Sequence, residues 1–252
     1  MARATIIVTL AAAAAASFSV PAMAAGGGSQ FNEPANNDVG NEASLQRGAR
    51  NYMNYCAACH SAKYVRYNTL ADGLEISEEQ LIENLMFNAE KTHETMQASM
   101  PKDDSARWFG KVPPDLSLIA RSRGTDYLYN FLRTFYVDDS RPTGTNNMVL
   151  AGASMPHVLW KLQGLQRPVY EEVTDEKGKP VQRFVEFELV TEGTMSPEEY
   201  DQFVRDTVNF LDYISEPVQL DRRVIGIWVL LFLVVFLLFA YMLKKEIWKD
   251  VH

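Results

Sequence analysis

The stretch NYMNYCAACHSAKYVRY, residues 51–67, contains both cysteines of the 252-residue chain, Cys56 and Cys59, with His60 directly after them. The preceding segment, NEASLQRGARNYMNY at residues 41–55, has apolar residues at helical spacing, which predicts a helix that ends near the first cysteine. A Cys-x-x-Cys pair could form a disulfide or a redox-active dithiol, but redox motifs of this type usually follow a strand. A zinc site needs four ligands, and this stretch offers three.

The pattern Cys-x-x-Cys-His is the attachment signature of a c-type haem. Two thiols at this spacing, at the end of a helix, can add to the two vinyl groups of one porphyrin. The next residue then lies under the ring and can bind the iron as its proximal ligand. We therefore predict one covalent haem c per chain, bound through Cys56 and Cys59, with His60 as an iron ligand.

Residue spacing alone leaves the sixth ligand of the iron open. Electron-carrying haem proteins commonly use methionine, and two methionines precede a proline, Met100 in ASMPK and Met155 in ASMPH. A residue before proline avoids the helical conformation, so both are expected in loops that can present a sulfur atom. His93 and His157 are further options, which would give a bis-histidine site.

Both ends of the chain carry apolar segments. Residues 1–24 contain one arginine, an alanine-rich run and an Ala-x-Ala cleavage pattern, which are typical of a secretory signal peptide. Residues 224–243, VIGIWVLLFLVVFLLFAYML, form a charge-free run of 20 residues, which is long enough to cross a bilayer as a helix. Together these segments predict an exported domain, a single transmembrane helix and a cytoplasmic tail at residues 244–252.

The charge balance argues against one class of partner. The chain has 32 acidic and 24 basic residues, for a net charge of −8. Binding to nucleic acid depends on clustered lysine and arginine, so we predict no nucleic-acid partner. An acidic domain can instead attract a basic protein partner.

The order of motifs resembles that of the cytochrome c1 family, the haem subunits of cytochrome bc1 complexes. The matching segments are CAACHSAKYVRYNTL (56–70), VPPDLSLIARSRGTDYLYNFL (112–132) and ASMPHVLW (153–160), followed by a capped helix and a single C-terminal span. The haem motif is common to c-type cytochromes in general, whereas Pro-Pro-Asp-Leu-Ser followed by Arg-x-Arg is more specific. The resemblance covers nearly the whole mature chain, although residues 71–111 contain no motif that aligns.

The resemblance implies roles for individual residues. In this family the methionine ligand follows the Pro-Pro-Asp-Leu-Ser segment, which implies Met155 rather than Met100. The family also implies that Pro114 packs against the haem, and that Arg123 and Tyr127 approach a haem propionate. A guanidinium group pairs well with a carboxylate, which gives the arginine assignment a physical basis.

The resemblance also implies a function. It implies an electron-transfer subunit of a quinol–cytochrome c reductase that passes electrons from a Rieske iron–sulfur protein to a soluble c-type cytochrome. The chain would pack beside cytochrome b in a dimeric complex in the bacterial inner membrane, with its haem domain in the periplasm. The sequence shows no nucleophile–base pair and no phosphate-binding loop, so we predict no bond-making site in this chain itself.

Other functions fit parts of the same pattern. A membrane-anchored c-type cytochrome of a terminal oxidase or a periplasmic dehydrogenase would share the haem motif and the span. A haem-based sensor would need an open or displaceable sixth position. A thiol–disulfide oxidoreductase would use Cys56 and Cys59 and leave His60 without a role.

The fold class predicted is mainly α: a c-type cytochrome domain at residues 41–220 with a small β-hairpin insertion and one C-terminal transmembrane helix. Residues 25–40, rich in glycine, asparagine and proline, predict a linker or a loosely packed arm. Helical patterns begin near Ser77 and cover residues 125–136. Alternation in the second half of residues 168–190 predicts the hairpin, which would turn at Lys177, Gly178 and Lys179.

The sequence also predicts where one further helix begins, at residue 196. Ser196, Pro197 and Glu199 form an N-cap, a first-position proline and a capping box. In small c-type cytochromes a C-terminal helix crosses the attachment helix. We expect the same crossing here, with Gly48 permitting close approach.

Overall fold

The computed structural model describes residues 31–174 and 178–250. The predicted signal peptide, the first residues of the predicted arm (25–30), and residues 251–252 of the tail lie outside the described residues, as does Lys177 of the predicted turn.

Most of the regular structure in the described residues is helical. The helices are α1 (Glu42–Tyr55), α2 (Tyr67–Gly73), α3 (Glu78–Asn84), α4 (Lys102–Phe109), α5 (Ile119–Arg123), α6 (Thr125–Arg133), α7 (Trp160–Gln163), α8 (Pro197–Ser215) and α9 (Gln219–Ile247). The strands of the described residues are β1 (Ala62–Arg66), β2 (Thr95–Met96), β3 (Phe135–Val137), β4 (Thr145–Asn147), β5 (Gly164–Thr174) and β6 (Pro180–Glu192), and each pairs antiparallel with its neighbour in sequence. The predicted fold class is confirmed.

The core of the domain is built around the crossing of α1 and α8, where the two backbones come into contact at Gly48. A Cβ atom built on Gly48 would lie 2.0 Å from the carbonyl oxygen of Asp206 and 2.6 Å from Cβ of Phe210. Only a residue without a side chain fits this space. The expected close approach of the two helices at Gly48 is therefore confirmed.

A buried carboxylate links the same two helices. Asp206 of α8 is 2% exposed, and its oxygens accept hydrogen bonds from the Ser44 hydroxyl at 2.7 Å and from Arg47 at 2.6 and 2.9 Å. The Gln202 side chain donates a further bond at 2.9 Å. Because burying an unpaired carboxylate is costly, these donors tie the position of α1 along α8 to one arrangement.

The predicted start of α8 is confirmed. The Ser196 hydroxyl accepts a hydrogen bond from the backbone N–H of Glu199 at 3.2 Å, and the Glu199 carboxylate accepts one from the N–H of Ser196 at 2.9 Å. Pro197 occupies the first helical position, where its missing N–H costs no hydrogen bond.

The helix predicted near Ser77 is confirmed as α3, with a capping box between Ser77 and Gln80. Leu81 and Leu85 are buried, whereas Ile82 is 50% exposed. This seven-residue helix therefore packs on the core through one narrow face.

The helix predicted at residues 125–136 is shorter in the structure. It ends as α6 at Arg133, and the following residues form β3, which pairs with β4. The side chain of Gln166 donates to the carbonyl oxygen of Phe135 at 2.8 Å. β4 and Gln166 lie outside the local window of residues 125–136. The helical pattern could therefore not predict that the backbone after Arg133 forms its hydrogen bonds with them.

The predicted hairpin is confirmed and is longer than the sequence pattern indicates. The pairing of β5 with β6 extends from Gly164 opposite Glu192 to Thr174 opposite Pro180. Gly178, in the turn, has a φ of 76°, a conformation that favours glycine.

The described part of the N-terminal arm, residues 31–40, lies against α6 and α8. The Asn130 side chain donates to the carbonyl oxygen of Glu33 at 2.7 Å, and the Asn209 side chain donates to that of Asp38 at 2.7 Å. These bonds give this part of the arm a defined place on the domain.

The C-terminal apolar segment forms a single helix. Among the helices of residues 31–174 and 178–250, α9 alone is long and apolar enough to cross a membrane, and its apolar side chains are exposed. It contains all of the span predicted at residues 224–243, which fits single-pass anchoring.

The close crossing predicts the effect of adding one carbon atom. Gly48→Ala should lower the free energy of unfolding by about 1–3 kcal/mol, because overpacking exceeds the gain of about 1 kcal/mol in helix propensity. Denaturation followed by circular dichroism measures the change. Gly226→Ala in α9 is the matched control, since a Cβ there meets no described atom within 4 Å. Equal stability of the Gly48 variant and the wild type would contradict the packing.

Candidate haem-binding site

The Cys-x-x-Cys-His motif forms a tight turn at the end of α1. The N–H of Cys56 donates to the Tyr52 carbonyl at 2.8 Å and closes the helix. The N–H groups of Cys59 and His60 both donate to the Cys56 carbonyl, at 3.1 and 2.8 Å. Within the described part of the chain neither thiol forms a disulfide. The two thiols and the imidazole are thus carried by one compact turn.

The imidazole of His60 is oriented by the Pro-Pro-Asp-Leu-Ser segment. Its Nδ1 atom lies 2.8 Å from the carbonyl oxygen of Pro114. Since a carbonyl only accepts, Nδ1 carries the proton and Nε2 keeps its lone pair, which is the form that binds a metal. Burial lowers the pKa of His60, against the opposing effect of this hydrogen bond. The ring is therefore held neutral and in the tautomer of a metal ligand.

Asp115 fastens the same segment to the chain that follows the turn. Its carboxylate accepts hydrogen bonds from the N–H of Lys63 and the N–H of Ser117, both at 3.0 Å. The N–H of Leu116 donates to the carbonyl of Ser61 at 2.8 Å. These bonds hold the Pro114 carbonyl in place beside His60.

Tyr52 links the turn to the helix crossing. Its hydroxyl donates to the carbonyl of His60 at 2.6 Å, and its buried ring packs on Phe210 of α8 with centroids 5.6 Å apart. Burial raises the pKa of Tyr52, so the hydroxyl stays protonated and remains a donor. The position of the turn therefore depends on how α1 lies on α8.

The thiols are not activated by their surroundings. Burial raises the pKa of Cys56 to about 12 and also raises that of Cys59. Redox-active and nucleophilic cysteines have a lowered pKa, because the thiolate is the reactive form. This environment argues against a thiol–disulfide oxidoreductase.

The structure brings together Arg123 and Tyr127, the two residues that the resemblance relates to a propionate. The guanidinium carbon of Arg123 lies 5.5 Å from the centre of the Tyr127 ring, across the junction of α5 and α6. Arg121 instead pairs with Glu216, at the end of α8, at 2.9 Å. Of the two arginines in the Arg-x-Arg motif, Arg123 is thus the one placed beside Tyr127.

The candidate sixth ligands lie in different surroundings. Met155, half-buried, is in the loop between β4 and α7, whereas the N–H of Met100 donates to the carbonyl of Ala58 at 3.0 Å, inside the haem motif. His157 is buried and stacks on Phe135, with centroids 5.0 Å apart and planes 2° apart. Burial lowers the pKa of His157 to about 4.

The contacts of Tyr52 and Asp115 could not be predicted from residue spacing. Spacing marks Tyr52 only as one more apolar helix position, and it marks Asp115 only as a residue of the Pro-Pro-Asp-Leu-Ser segment. Each side chain acts through a hydrogen bond to backbone that lies outside its own local segment.

A helix that ends in Cys-x-x-Cys-His and is crossed by a long later helix defines a c-type cytochrome domain. The family model described as the Cytochrome C1 family matches residues 36–251, and the chain belongs to this family. The family implies a c-type haem, and the donor set fits one: two thiols on one turn and an imidazole with its Nε2 lone pair available.

Alignments with related proteins cover most of the chain. It is 50% identical over 231 residues to cytochrome c1 of Allochromatium vinosum, an alignment that covers 92% of this chain and 94% of the relative. It is 46% identical over 215 residues to a protein of Nitrosomonas europaea named ammonia monooxygenase gamma subunit, covering 85% and 86%. It is 25% identical over 238 residues to cytochrome b/c1 of Bradyrhizobium diazoefficiens, covering 82% of this chain and 33% of that protein.

The role of Asp115 predicts a loss of stability at the turn. Asp115→Ala should lower the free energy of unfolding by about 2–3 kcal/mol, because two backbone N–H groups lose a charged acceptor. Thermal unfolding followed by circular dichroism provides the measurement. Asp139→Ala is a matched control, because the Asp139 side chain is 88% exposed and its ion pair with Arg167 is long, at 3.6 Å. Equal midpoints for the two variants would contradict the stabilising role of the Asp115 hydrogen bonds.

Proposed function

We propose that this chain carries one haem c bound through Cys56 and Cys59, with His60 and Met155 as the iron ligands, and that it transfers electrons within a cytochrome bc1 complex. The observation that carries the proposal is the His60 imidazole. Its Nδ1–H donates to the Pro114 carbonyl, with Nδ1 and the oxygen 2.8 Å apart, and the same turn carries two thiols that form no disulfide.

When bound, the haem supplies one-electron exchange between ferric and ferrous iron. The protein's part is to hold the ligands and cover the cofactor. Tyr52, Pro114 and Asp115 keep the turn and the imidazole in one orientation. A rigid ligand set suits electron transfer, since little has to move between the two oxidation states.

The placement of the two methionines favours Met155. A second iron ligand would come from a part of the chain separate from the turn that carries His60. Met100 is bonded through its backbone to Ala58, inside the turn that carries His60. Met155 is in a separate loop after β4, so its sulfur can come from another direction. A thioether at this position favours ferrous iron and raises the reduction potential relative to a second histidine.

We assign the propionate contacts to Arg123 and Tyr127, and a packing contact with the haem to Pro114. The guanidinium group of Arg123 over the Tyr127 ring leaves its N–H donors available to a carboxylate. The Pro114 carbonyl accepts from the His60 imidazole, so Pro114 is next to the proposed iron ligand, which supports a packing contact with the haem.

The electron route follows from the family. The donor would be a Rieske iron–sulfur protein and the acceptor a soluble c-type cytochrome, with the chain in a dimeric complex that oxidises quinol. Cytochrome b is the proposed membrane partner. One relative has both cytochromes in its name, cytochrome b/c1, and its length is about three times the aligned part, which supports this pairing.

The proposed topology follows the segments of the chain. Residues 1–24 are a cleaved signal peptide, 25–40 an arm, and 41–220 the haem domain on the periplasmic side of the bacterial inner membrane. Residues 224–243 cross the membrane and 244–252 stay in the cytoplasm. The apolar helix α9, which contains residues 224–243, supports the membrane span in this topology.

A second candidate follows from the relative named ammonia monooxygenase gamma subunit, which would place the chain in a different complex. The same haem site would serve there, so the partners distinguish the two. A c-type cytochrome of a terminal oxidase or periplasmic dehydrogenase differs in the same way. A sensor would need a sixth position that opens.

The ligand assignment predicts a change in reduction potential. Met155→Leu should lower the potential by on the order of 100 mV, part of the ~0.8 V range that axial ligands span, because ferrous iron loses its thioether. The variant should also bind carbon monoxide when reduced. Met100→Leu is the matched control and should behave like the wild type. A large fall in potential for the Met100 variant alone would reverse the assignment.

The assembly is tested by native electrophoresis of membranes solubilised in mild detergent and stained for covalent haem. The haem-stained band of this chain should comigrate with a cytochrome b and a Rieske protein. Haem in this chain without those two partners would contradict the bc1 assignment, and partners of a monooxygenase in the same band would favour the second candidate.

A further inference from the structure

We propose that Asn147 is a positioning residue that holds the loop carrying Met155, so that the methionine sulfur stays on the iron. This inference rests on the proposed function, because it takes Met155 as the sixth ligand. It concerns residues 148–157, which connect β4 to the turn before α7.

Asn147 is a buried hub between α6 and this loop. Its side chain is 1% exposed. The Oδ1 atom accepts hydrogen bonds from the N–H groups of Val149 and Leu150 at 2.9 and 3.0 Å, and Nδ2 donates to the Phe131 carbonyl at 2.7 Å. One amide therefore fastens the start of the loop to the end of a core helix.

The middle of the loop has its own fastening on the same hairpin. The N–H of Gly152 donates to Oδ1 of Asn146 at 2.8 Å, and Arg141 donates to the Gly152 carbonyl at 3.1 Å. Gly152 has a φ of 75°, which lets the loop reverse direction between these bonds. Ala153, which follows, is buried.

The far end of the loop returns to the same hairpin. The ring of His157 stacks on Phe135, which is the first residue of β3. Met155 is thus bracketed: bonds to the β3–β4 hairpin precede it, and an aromatic contact with that hairpin follows it. This explains how a loop without regular structure can keep one sulfur atom in a fixed position.

Asn147 is the member of this set whose loss should act most directly. Two part-buried loop N–H groups would lose an acceptor whose own side chain is buried, and water can replace that acceptor only in part. The loop would then open more often, and each opening would take Met155 with it. We expect the fraction of ferrous iron that lacks methionine to rise about tenfold or more.

Asn130 offers a matched control. It is also a buried asparagine, 2% exposed, and its amide bonds to backbone, donating to the carbonyls of Glu33 and Asp126 at 2.7 Å each. The bond to Glu33 holds the N-terminal arm on α6, the bond to Asp126 lies within α6, and neither involves Val149 or Leu150. Replacement of Asn130 should cost a similar amount of stability without freeing the methionine.

The experiment compares Asn147→Ala with Asn130→Ala in the full chain, purified with its haem. Carbon monoxide binding to the reduced protein reports methionine dissociation, and the visible spectrum of the oxidised protein reports the iron–sulfur bond. Asn147→Ala should bind carbon monoxide about tenfold more readily than the wild type, while Asn130→Ala should match the wild type. Asn147→Asp should restore methionine binding only in part, because its carboxylate can still accept from both N–H groups but no longer donates to the Phe131 carbonyl.

Two results would overturn the proposal: no gain in carbon monoxide binding for Asn147→Ala, or an equal gain for both alanine variants. If Asn147→Ala does not accumulate, Asn147→Leu replaces it, because leucine has a similar shape and no acceptor for either N–H group. Met155→Leu distinguishes a failure of the ligand assignment from a failure of the positioning role. If that variant does not bind carbon monoxide, the ligand assignment fails; if it does and Asn147→Ala does not, only the positioning role fails.

Discussion

The close contact of α1 with α8 at Gly48 is the constraint on which the rest of the site depends. It lets the two helices pack backbone to backbone, and Asp206 then sets their relative position through buried hydrogen bonds. Tyr52, which is part of α1, donates a hydrogen bond from its hydroxyl to the His60 carbonyl. In the proposed site a covalent haem would be attached at two points of one turn, so an error in the helix crossing would displace the porphyrin.

The remaining groups of the site come from loops, and each loop is held by side chains that bond to backbone. Asp115 fastens the segment with Pro114, and Asn147 fastens the loop with Met155. Regular structure near the site is short, so such bonds replace the continuous ladders of helices and sheets. In the proposed site, this division would let two loops on separate parts of the chain contact one haem.

Features with a local cause could be predicted from the sequence. Examples are the motif at residues 56–60, the capping box at Ser196 and the charge-free span. The structure of each depends on the residues of that segment alone. Features that depend on distant partners could not. Examples are the end of α6 at Arg133, the pairing of Ala62 with Met96, and the hydrogen bonds of the N-terminal arm. Each depends on contacts between parts of the chain that are far apart in sequence. The roles proposed for Pro114, Arg123, Tyr127 and Met155 came from family resemblance, because spacing left the sixth ligand open.

The most direct test of this account is the mass of the tryptic peptide that spans residues 51–63, NYMNYCAACHSAK, from the protein purified out of membranes. The account predicts the mass of the peptide plus one haem, with fragmentation that places the modification on Cys56 and Cys59. The unmodified peptide, or one lighter by two hydrogen atoms because the cysteines form a disulfide, would contradict it.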